Sequence, residues 1–73
     1  MDIQDQDKTD EYLYDLLFKA GDGRHVVCVS QTYRESVQRF NRTAALGREL
    51  GATVGVNRVE FPGSGYVEFS NLH

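Results

Sequence analysis

Two copies of the tripeptide Val-Glu-Phe flank a glycine-rich stretch near the carboxyl end of the chain. Each copy alternates apolar, acidic and apolar side chains, which is the period of a strand with one buried face. A three-residue loop at residues 63–65 would place Phe61 opposite Val67. The pattern therefore predicts an antiparallel hairpin that brings Glu60 opposite Glu68 on its outer face.

The segment before Gly21 has the periodicity of a short amphipathic helix. Thr9 or Asp10 can cap its amino end, and Gly21 ends it. Residues 1–8 carry one apolar side chain beyond the initiator, Ile3, so we expect them to form a flexible acidic arm. The apolar positions of this helix recur at i, i+3, i+4 and i+7, and they are Leu13, Leu16, Leu17 and Ala20.

A second amphipathic helix is expected between residues 32 and 50. It opens with a Thr-x-x-Glu capping box at residues 32–35, and Gly51 provides the carboxyl-terminal stop. Gly47 lies within its last turns and is expected to weaken them. The predicted inner stripe consists of Val37, Phe40, Ala44, Leu46 and Leu50.

Two other segments are expected to be strands. The run 26–29 is apolar without interruption, which favours a central strand covered on both faces or one whose second face is partly shielded. Residues 52–61 also have strand character, but Val56 and Val59 have opposite parity. A bulge or short bend at residues 57–58 would reset the phase.

The elements in order are helix, strand, helix, strand and strand, which gives an α+β fold with a small three-stranded, mainly antiparallel sheet and two helices on one face. The strands on either side of the second helix should run in the same direction. We expect the last strand to insert between them, so that every neighbouring pair is antiparallel, while the order 1-2-3 stays open. Residues 9–70 would form a single domain, followed by a polar tail at 71–73.

Length and composition describe one small domain. A chain of 73 residues has room for one modest core. The single cysteine, Cys28, excludes an internal disulfide and favours a reducing compartment. No stretch approaches the roughly 20 apolar residues of a membrane span, and the amino terminus is acidic, unlike a signal peptide. We therefore expect a soluble cytoplasmic protein without membrane contact.

Charge is distributed unevenly along the chain. Residues 1–22 contain seven acids and two lysines, for a net charge of −5, whereas residues 23–73 contain six arginines and four glutamates, for a net charge of +2. This asymmetry is compatible with an acidic arm and a weakly basic body, although most charge runs are solvated surface.

Catalytic and metal sites are poorly supported by the residues present. The chain has two histidines and one cysteine in no metal-binding spacing, so neither a metal nor another cofactor is expected. Cys28 lies in an apolar strand, where a structural role is usual. Glu60 and Glu68 would be the only paired carboxylates, but no pocket is predicted beside them, and we do not expect an enzyme.

Two groups of polar residues are candidates for partner binding. The first is the outer face of the hairpin, where unpaired carboxylates would favour a basic partner segment. It consists of Arg58, Glu60, Tyr66 and Glu68. The second is the polar face of the second helix, which could meet an acidic protein surface or RNA. It consists of Arg34, Gln38 and Arg42.

Two parts of the chain suggest a family. They are the closing Val-Glu-Phe pair and residues 12–29, which read Tyr-Leu-Tyr-Asp-Leu-Leu-Phe-Lys-Ala-Gly-Asp-Gly-Arg-His-Val-Val-Cys-Val. Over its full length the chain resembles the small regulators of transcription, known from a lytic Xanthomonas phage, that bind bacterial RNA polymerase. The resemblance implies a non-enzymatic protein that binds the two large polymerase subunits. It also implies inhibition of initiation by displacement of the sigma factor, and opposition to termination near the RNA exit channel.

Two alternatives remain open, and the protein is expected to be a monomer in either case. A small nucleic-acid-binding module would bind DNA or RNA without polymerase. An adaptor or antitoxin-like module would bind another host protein.

Overall fold

Two helices cover one face of a four-stranded mixed sheet in the computed structural model, which describes residues 3–72 and the side chains of residues 10–72. The fold is therefore a small α+β domain. Its elements are α1 (Ile3–Gly21), β1 (His25–Cys28), α2 (Tyr33–Glu49), β2 (Thr53–Val54), β3 (Arg58–Glu60) and β4 (Tyr66–Phe69).

The predicted strand at 52–61 is two strands, so the expected sheet of three strands is wrong. The chain reverses between β2 and β3, where the Gly55 N–H donates a hydrogen bond to the Arg58 carbonyl oxygen at 2.8 Å. Val56 lies at the tip of this reversal and is 91% exposed. The expected bend is thus a complete hairpin, and it explains the change in parity between Val56 and Val59.

The extra reversal also changes the direction of the last strand. The sheet order is β1-β4-β3-β2, so β4 does insert next to β1 as expected. However, β4 runs parallel to β1 and antiparallel to β3, and β3 is antiparallel to β2. The expectation of antiparallel neighbours throughout is therefore wrong for β1 and β4.

The hairpin of β3 and β4 forms, but its register differs from the expected one by two residues. Glu60 pairs with Tyr66, and Arg58 pairs with Glu68. The loop is a turn at residues 61–64, in which the Ser64 N–H donates to the Phe61 carbonyl oxygen at 3.0 Å and Gly63 has φ of 69°. Proline followed by glycine at its centre is the sequence of a type II turn. The expected opposition of Glu60 and Glu68 is therefore wrong.

Helix α1 begins at Ile3, several residues before the expected start at Thr9 or Asp10. Residues 3–8 contain no proline or glycine, and acids near a helix amino end interact favourably with its dipole. Residues 3–8 of the expected flexible arm are thus helical, while Met1 and Asp2 lie outside the described residues. The predicted inner positions Leu13, Leu16, Leu17 and Ala20 are all buried in the core.

Helix α2 begins and ends at the predicted signals. The Glu35 N–H donates to Thr32 Oγ1 at 3.1 Å, and the Gln31 N–H donates to Glu35 Oε1 at 3.0 Å. At the other end, the N–H groups of Gly51 and Ala52 donate to the carbonyl oxygens of Arg48 and Gly47. These two bonds are those of a Schellman motif.

The buried face of α2 is rotated from the predicted stripe. Ala44 and Leu46 are buried as expected, whereas Val37 and Phe40 are only half-buried and Leu50 is exposed. A Cβ atom on Gly47 would lie 2.7 Å from Cγ1 of Val59. The remaining buried positions are small or polar, namely Ser36, Thr43 and Gly47. Small residues therefore let α2 pack closely on the sheet.

The last two described residues, Asn71 and Leu72, contact the rest of the domain. The Asn71 side chain donates a hydrogen bond to the Ser30 carbonyl oxygen, and Leu72 packs partly buried against the core. Asn71 and Leu72 of the expected tail are thus in contact with the fold, and His73 lies outside the described residues. Within residues 3–72, neither helix has an apolar stretch of the length that a bilayer crossing requires.

Candidate functional site

The outer face of the sheet is the side that neither helix covers. Side chains alternate along each strand, so Val59, Val67 and Phe69 point into the core while their neighbours point outward. The pairing of the strands brings the outward residues together on one surface. We call this surface the outer face, and it comprises His25, Val27, Thr53, Arg58, Glu60, Tyr66 and Glu68.

Three side chains form a continuous stack at the centre of the outer face. The rings of His25 and Tyr66 lie 4.4 Å apart at an interplanar angle of 22°. The guanidinium carbon of Arg58 lies 4.3 Å from the centre of the same tyrosine ring. Tyr66 thus contacts both a guanidinium and an imidazole, and the three side chains together form a polar and aromatic surface.

Arg58 also lies between the two carboxylates of the outer face. Its Nη1 is 3.9 Å from Glu60 Oε2, and its Nη2 is 3.7 Å from Glu68 Oε1. All three side chains are substantially exposed, so each ion pair contributes at most about 1 kcal/mol. One guanidinium thus faces two carboxylates. Glu60 and Glu68 were expected to be directly opposed and unpaired, but they lie diagonally across the two strands with Arg58 between them.

The predicted residues of the hairpin are therefore brought together, and two neighbours join them from β1. His25 and Val27 share the register positions of Tyr66 and Glu68. The apolar run of β1 predicted a central strand covered on both faces or a strand whose second face is partly shielded. β1 is an edge strand, as the preferred strand order requires, and Val27 and Val29 on its second face are 59% and 69% exposed. An uninterrupted apolar run does not indicate which face of a strand is exposed, so it contains no signal for the exposure of Val27.

The edge of β1 offers backbone hydrogen-bonding groups. The Tyr66 and Ser70 N–H groups donate to the carbonyl oxygens of Arg24 and Cys28, both at 3.1 Å. Because backbone groups alternate in direction along a strand, the intervening His25 and Val27 direct their N–H and C=O groups away from β4. Such an edge can pair with an added strand.

The second predicted group, Arg34, Gln38 and Arg42, lies on the exposed side of α2. The Nε and Nη2 groups of Arg42 donate to the two carboxylate oxygens of Asp10 at 3.0 and 2.7 Å. These hydrogen bonds and the charge of Arg42 lower the pKa of Asp10, and they raise the pKa of Arg42. Arg42 is therefore engaged within the domain, which leaves Arg34 and Gln38 more available to a partner.

Two further titratable side chains, Cys28 and Tyr12, lie close together. Cys28 is fully buried. Partial burial of the Tyr12 hydroxyl, together with the neighbouring Cys28 thiol, raises the pKa of Tyr12. Among the side chains of residues 10–72, no group of three or more histidine, cysteine or acidic residues has the arrangement of a metal site.

No family model matches the chain, and no curated protein or solved structure is similar to it at a significant level.

Proposed function

We propose that this chain is a non-enzymatic phage regulator of transcription that acts as a monomer in the cytoplasm of the host bacterium by binding RNA polymerase. The resemblance described above supplies the target, the two large polymerase subunits. It also supplies the two proposed consequences, inhibition of initiation through displacement of the sigma factor and opposition to termination.

The observation that carries the proposal is the uncovered outer face of the sheet. Both helices pack on the opposite face, and the outer face holds Arg58 and Tyr66 in a stack. Arginine and tyrosine are enriched at the energetically dominant positions of protein interfaces. A protein partner would bury side chains that already pack on one another, which lowers the entropic cost of fixing their rotamers on binding.

The charge of the outer face defines the partner surface. The two negative charges of Glu60 and Glu68 exceed the single positive charge of Arg58. A polymerase segment rich in lysine or arginine therefore complements this surface. His25 and Val27 extend the contact to the edge of β1. Arg34, Gln38 and Arg42 are proposed as a second, weaker contact to an acidic polymerase surface or to RNA held by the complex.

Binding to purified polymerase tests the proposal. The affinity of the wild-type chain for core enzyme and holoenzyme is compared with that of the Glu60→Lys and Tyr66→Ser variants. Each variant is expected to raise the Kd at least about tenfold. Glu49→Lys and Tyr33→Ser are matched controls, because both residues are exposed on α2 away from the outer face, and they should change the Kd less than about twofold. Equal effects of the two pairs would place the contact elsewhere.

Transcription assays test the consequence. The wild-type chain should reduce promoter-dependent initiation and increase read-through at a terminator, and the Tyr66→Ser variant should do neither. Absence of polymerase binding would overturn the proposal. Binding to DNA or RNA alone, with steep dependence on salt, would instead support the nucleic-acid-binding alternative.

A further inference from the structure

A second exposed surface lies on the helical side of the domain, around Phe18. This ring is 64% exposed and stacks on Tyr14 at a centroid distance of 6.0 Å. Two shallow hollows, both open to solvent, adjoin this ring. We call this surface the Phe18 groove.

The walls of the Phe18 groove come from several elements. Leu50 at the end of α2 and Phe61 after β3 line the first hollow together with Phe18. The second hollow lies along α1 beside Tyr14. The groove therefore presents aromatic and aliphatic side chains from three parts of the fold, and it offers space for an apolar side chain between them.

The rim of the groove is acidic. Glu11 and Asp15 border one hollow and Asp22 borders the other, while neither hollow is lined by a lysine or arginine. Asp15 is paired with Lys19 at 3.0 Å. Among residues 10–72, Glu11 and Asp22 form no ion pair. Gly21 at the end of α1 and Leu50 after α2 line the same hollow, so the negative ends of both helix dipoles add to this field.

We propose that the Phe18 groove binds a basic peptide segment of a protein partner, with one or two apolar anchors between its positive charges. Apolar anchors enter the hollows beside Phe18, and lysine or arginine side chains meet Glu11 and Asp22. These two acids are eleven residues apart on and just after α1, a separation of about 16 Å along the helix axis. A helical segment of about three turns spans this distance, which is the helix-in-groove mode of recognition.

This surface differs from the outer face, and its proposed occupant does not depend on the identity of the polymerase. A random library of 12-residue peptides provides the probe. Selection on the wild-type chain should enrich peptides that carry at least two basic residues and leucine or aromatic residues three or four positions apart. Enrichment of acidic peptides, or of none, would overturn the proposal.

Variants locate the binding of an enriched peptide. Phe18→Ser should weaken its binding at least about tenfold, and Glu11→Lys should weaken it with an effect that disappears at high salt. Tyr33→Ser is the matched control, because Tyr33 is 63% exposed but lines neither hollow. Equal losses of peptide affinity in Phe18→Ser and Tyr33→Ser would contradict binding of the peptide in the Phe18 groove. Self-association of the wild-type chain in sedimentation, abolished by Phe18→Ser, would show that a second copy occupies the groove and would overturn the proposed partner.

Discussion

At the scale of single residues, two hydroxyl groups on the buried face of α2 differ in their partners. The Ser36 hydroxyl donates to the Ser70 carbonyl oxygen, whereas Thr43 Oγ1 is buried and has no hydrogen-bond partner among the described residues. A buried polar atom without a partner costs about 1–3 kcal/mol in desolvation. The burial of these two hydroxyl groups was not predicted, because the apolar periodicity of α2 assigned only apolar residues to its inner face.

We predict opposite effects of removing these hydroxyl groups. Thr43→Val keeps the side-chain shape and removes the unpaired oxygen, so it should raise the free energy of unfolding by about 1 kcal/mol. Ser36→Ala leaves the Ser70 carbonyl without its donor and should lower the free energy of unfolding by about 1–2 kcal/mol. Urea denaturation of the two variants measures both values, and destabilisation by Thr43→Val would contradict the assignment.

The structural roles of some glycines follow from the local sequence, whereas those of others do not. Gly51 and Gly63 have positive φ, and their role in a helix end and a turn follows from local sequence. Gly65 is different, because a Cβ atom there would lie 1.8 Å from the Arg24 carbonyl oxygen. Gly47 similarly abuts Val59. These close approaches join segments that are distant in sequence, and a local pattern carries no information about them.

At the scale of secondary-structure elements, β1 separates two faces that the sequence could not distinguish. Val26 pairs with Val67 on the core side, and Val27 pairs with Glu68 on the outer face. We predict that Val27→Lys changes the free energy of unfolding by less than about 0.5 kcal/mol, since the new ammonium lies in water opposite a carboxylate. Val26→Lys directs its charge toward the core and should cost roughly 2 kcal/mol or more.

Urea denaturation of these two β1 variants makes the comparison, with circular dichroism confirming the native helix content. A similar loss of stability in both would mean that β1 is covered on both faces, as the apolar run suggested.

The hairpin illustrates which part of an element is encoded locally. The alternation of Val-Glu-Phe was sufficient to predict two paired strands with the correct inward faces, because a shift of two residues preserves parity. The register depended on the choice of turn. Pro62 and Gly63 carried the signal for a type II turn, which the three-residue loop at 63–65 did not use.

In the candidate site, too, the face on which each residue lies is encoded locally, whereas the strand register is not. Arg58, Glu60, Tyr66 and Glu68 lie on one face as predicted, since parity alone places them there. Their mutual contacts depend on register, so the stack of Arg58 on Tyr66 was not predicted. His25 joins the site through a parallel pairing between strands about forty residues apart in sequence, and local sequence patterns contain no signal for that pairing.

At the scale of the whole molecule, the two proposed binding surfaces lie on opposite layers of the fold. The outer face belongs to the sheet, and the Phe18 groove belongs mainly to the helices. Both combine aromatic side chains with an excess of carboxylates. A partner with basic segments could therefore engage both layers, which would increase its affinity beyond that of either contact alone.

The two helices are also joined to each other by the ion pair of Asp10 on α1 and Arg42 on α2. Two hydrogen bonds and the positive charge of Arg42 hold the pKa of Asp10 below its ordinary value of 3.8. A carboxyl group whose pKa is lower in the folded state stabilises the fold fully above its unfolded pKa. This contribution is lost as the pH falls through the lower folded value, when Asp10 becomes protonated.

We therefore predict that Asp10→Asn destabilises the protein at pH 7 and that its difference from wild type shrinks as the pH falls below 3.8 and Asp10 becomes protonated in the wild-type protein. Other carboxylates titrate in both proteins, so the difference in urea midpoint between them isolates Asp10. Arg42→Gln removes the same two hydrogen bonds and should give the same pH dependence as Asp10→Asn, with little further change in the double variant. A constant difference between wild type and Asp10→Asn from pH 7 to pH 2 would show that this ion pair does not couple the two helices to pH.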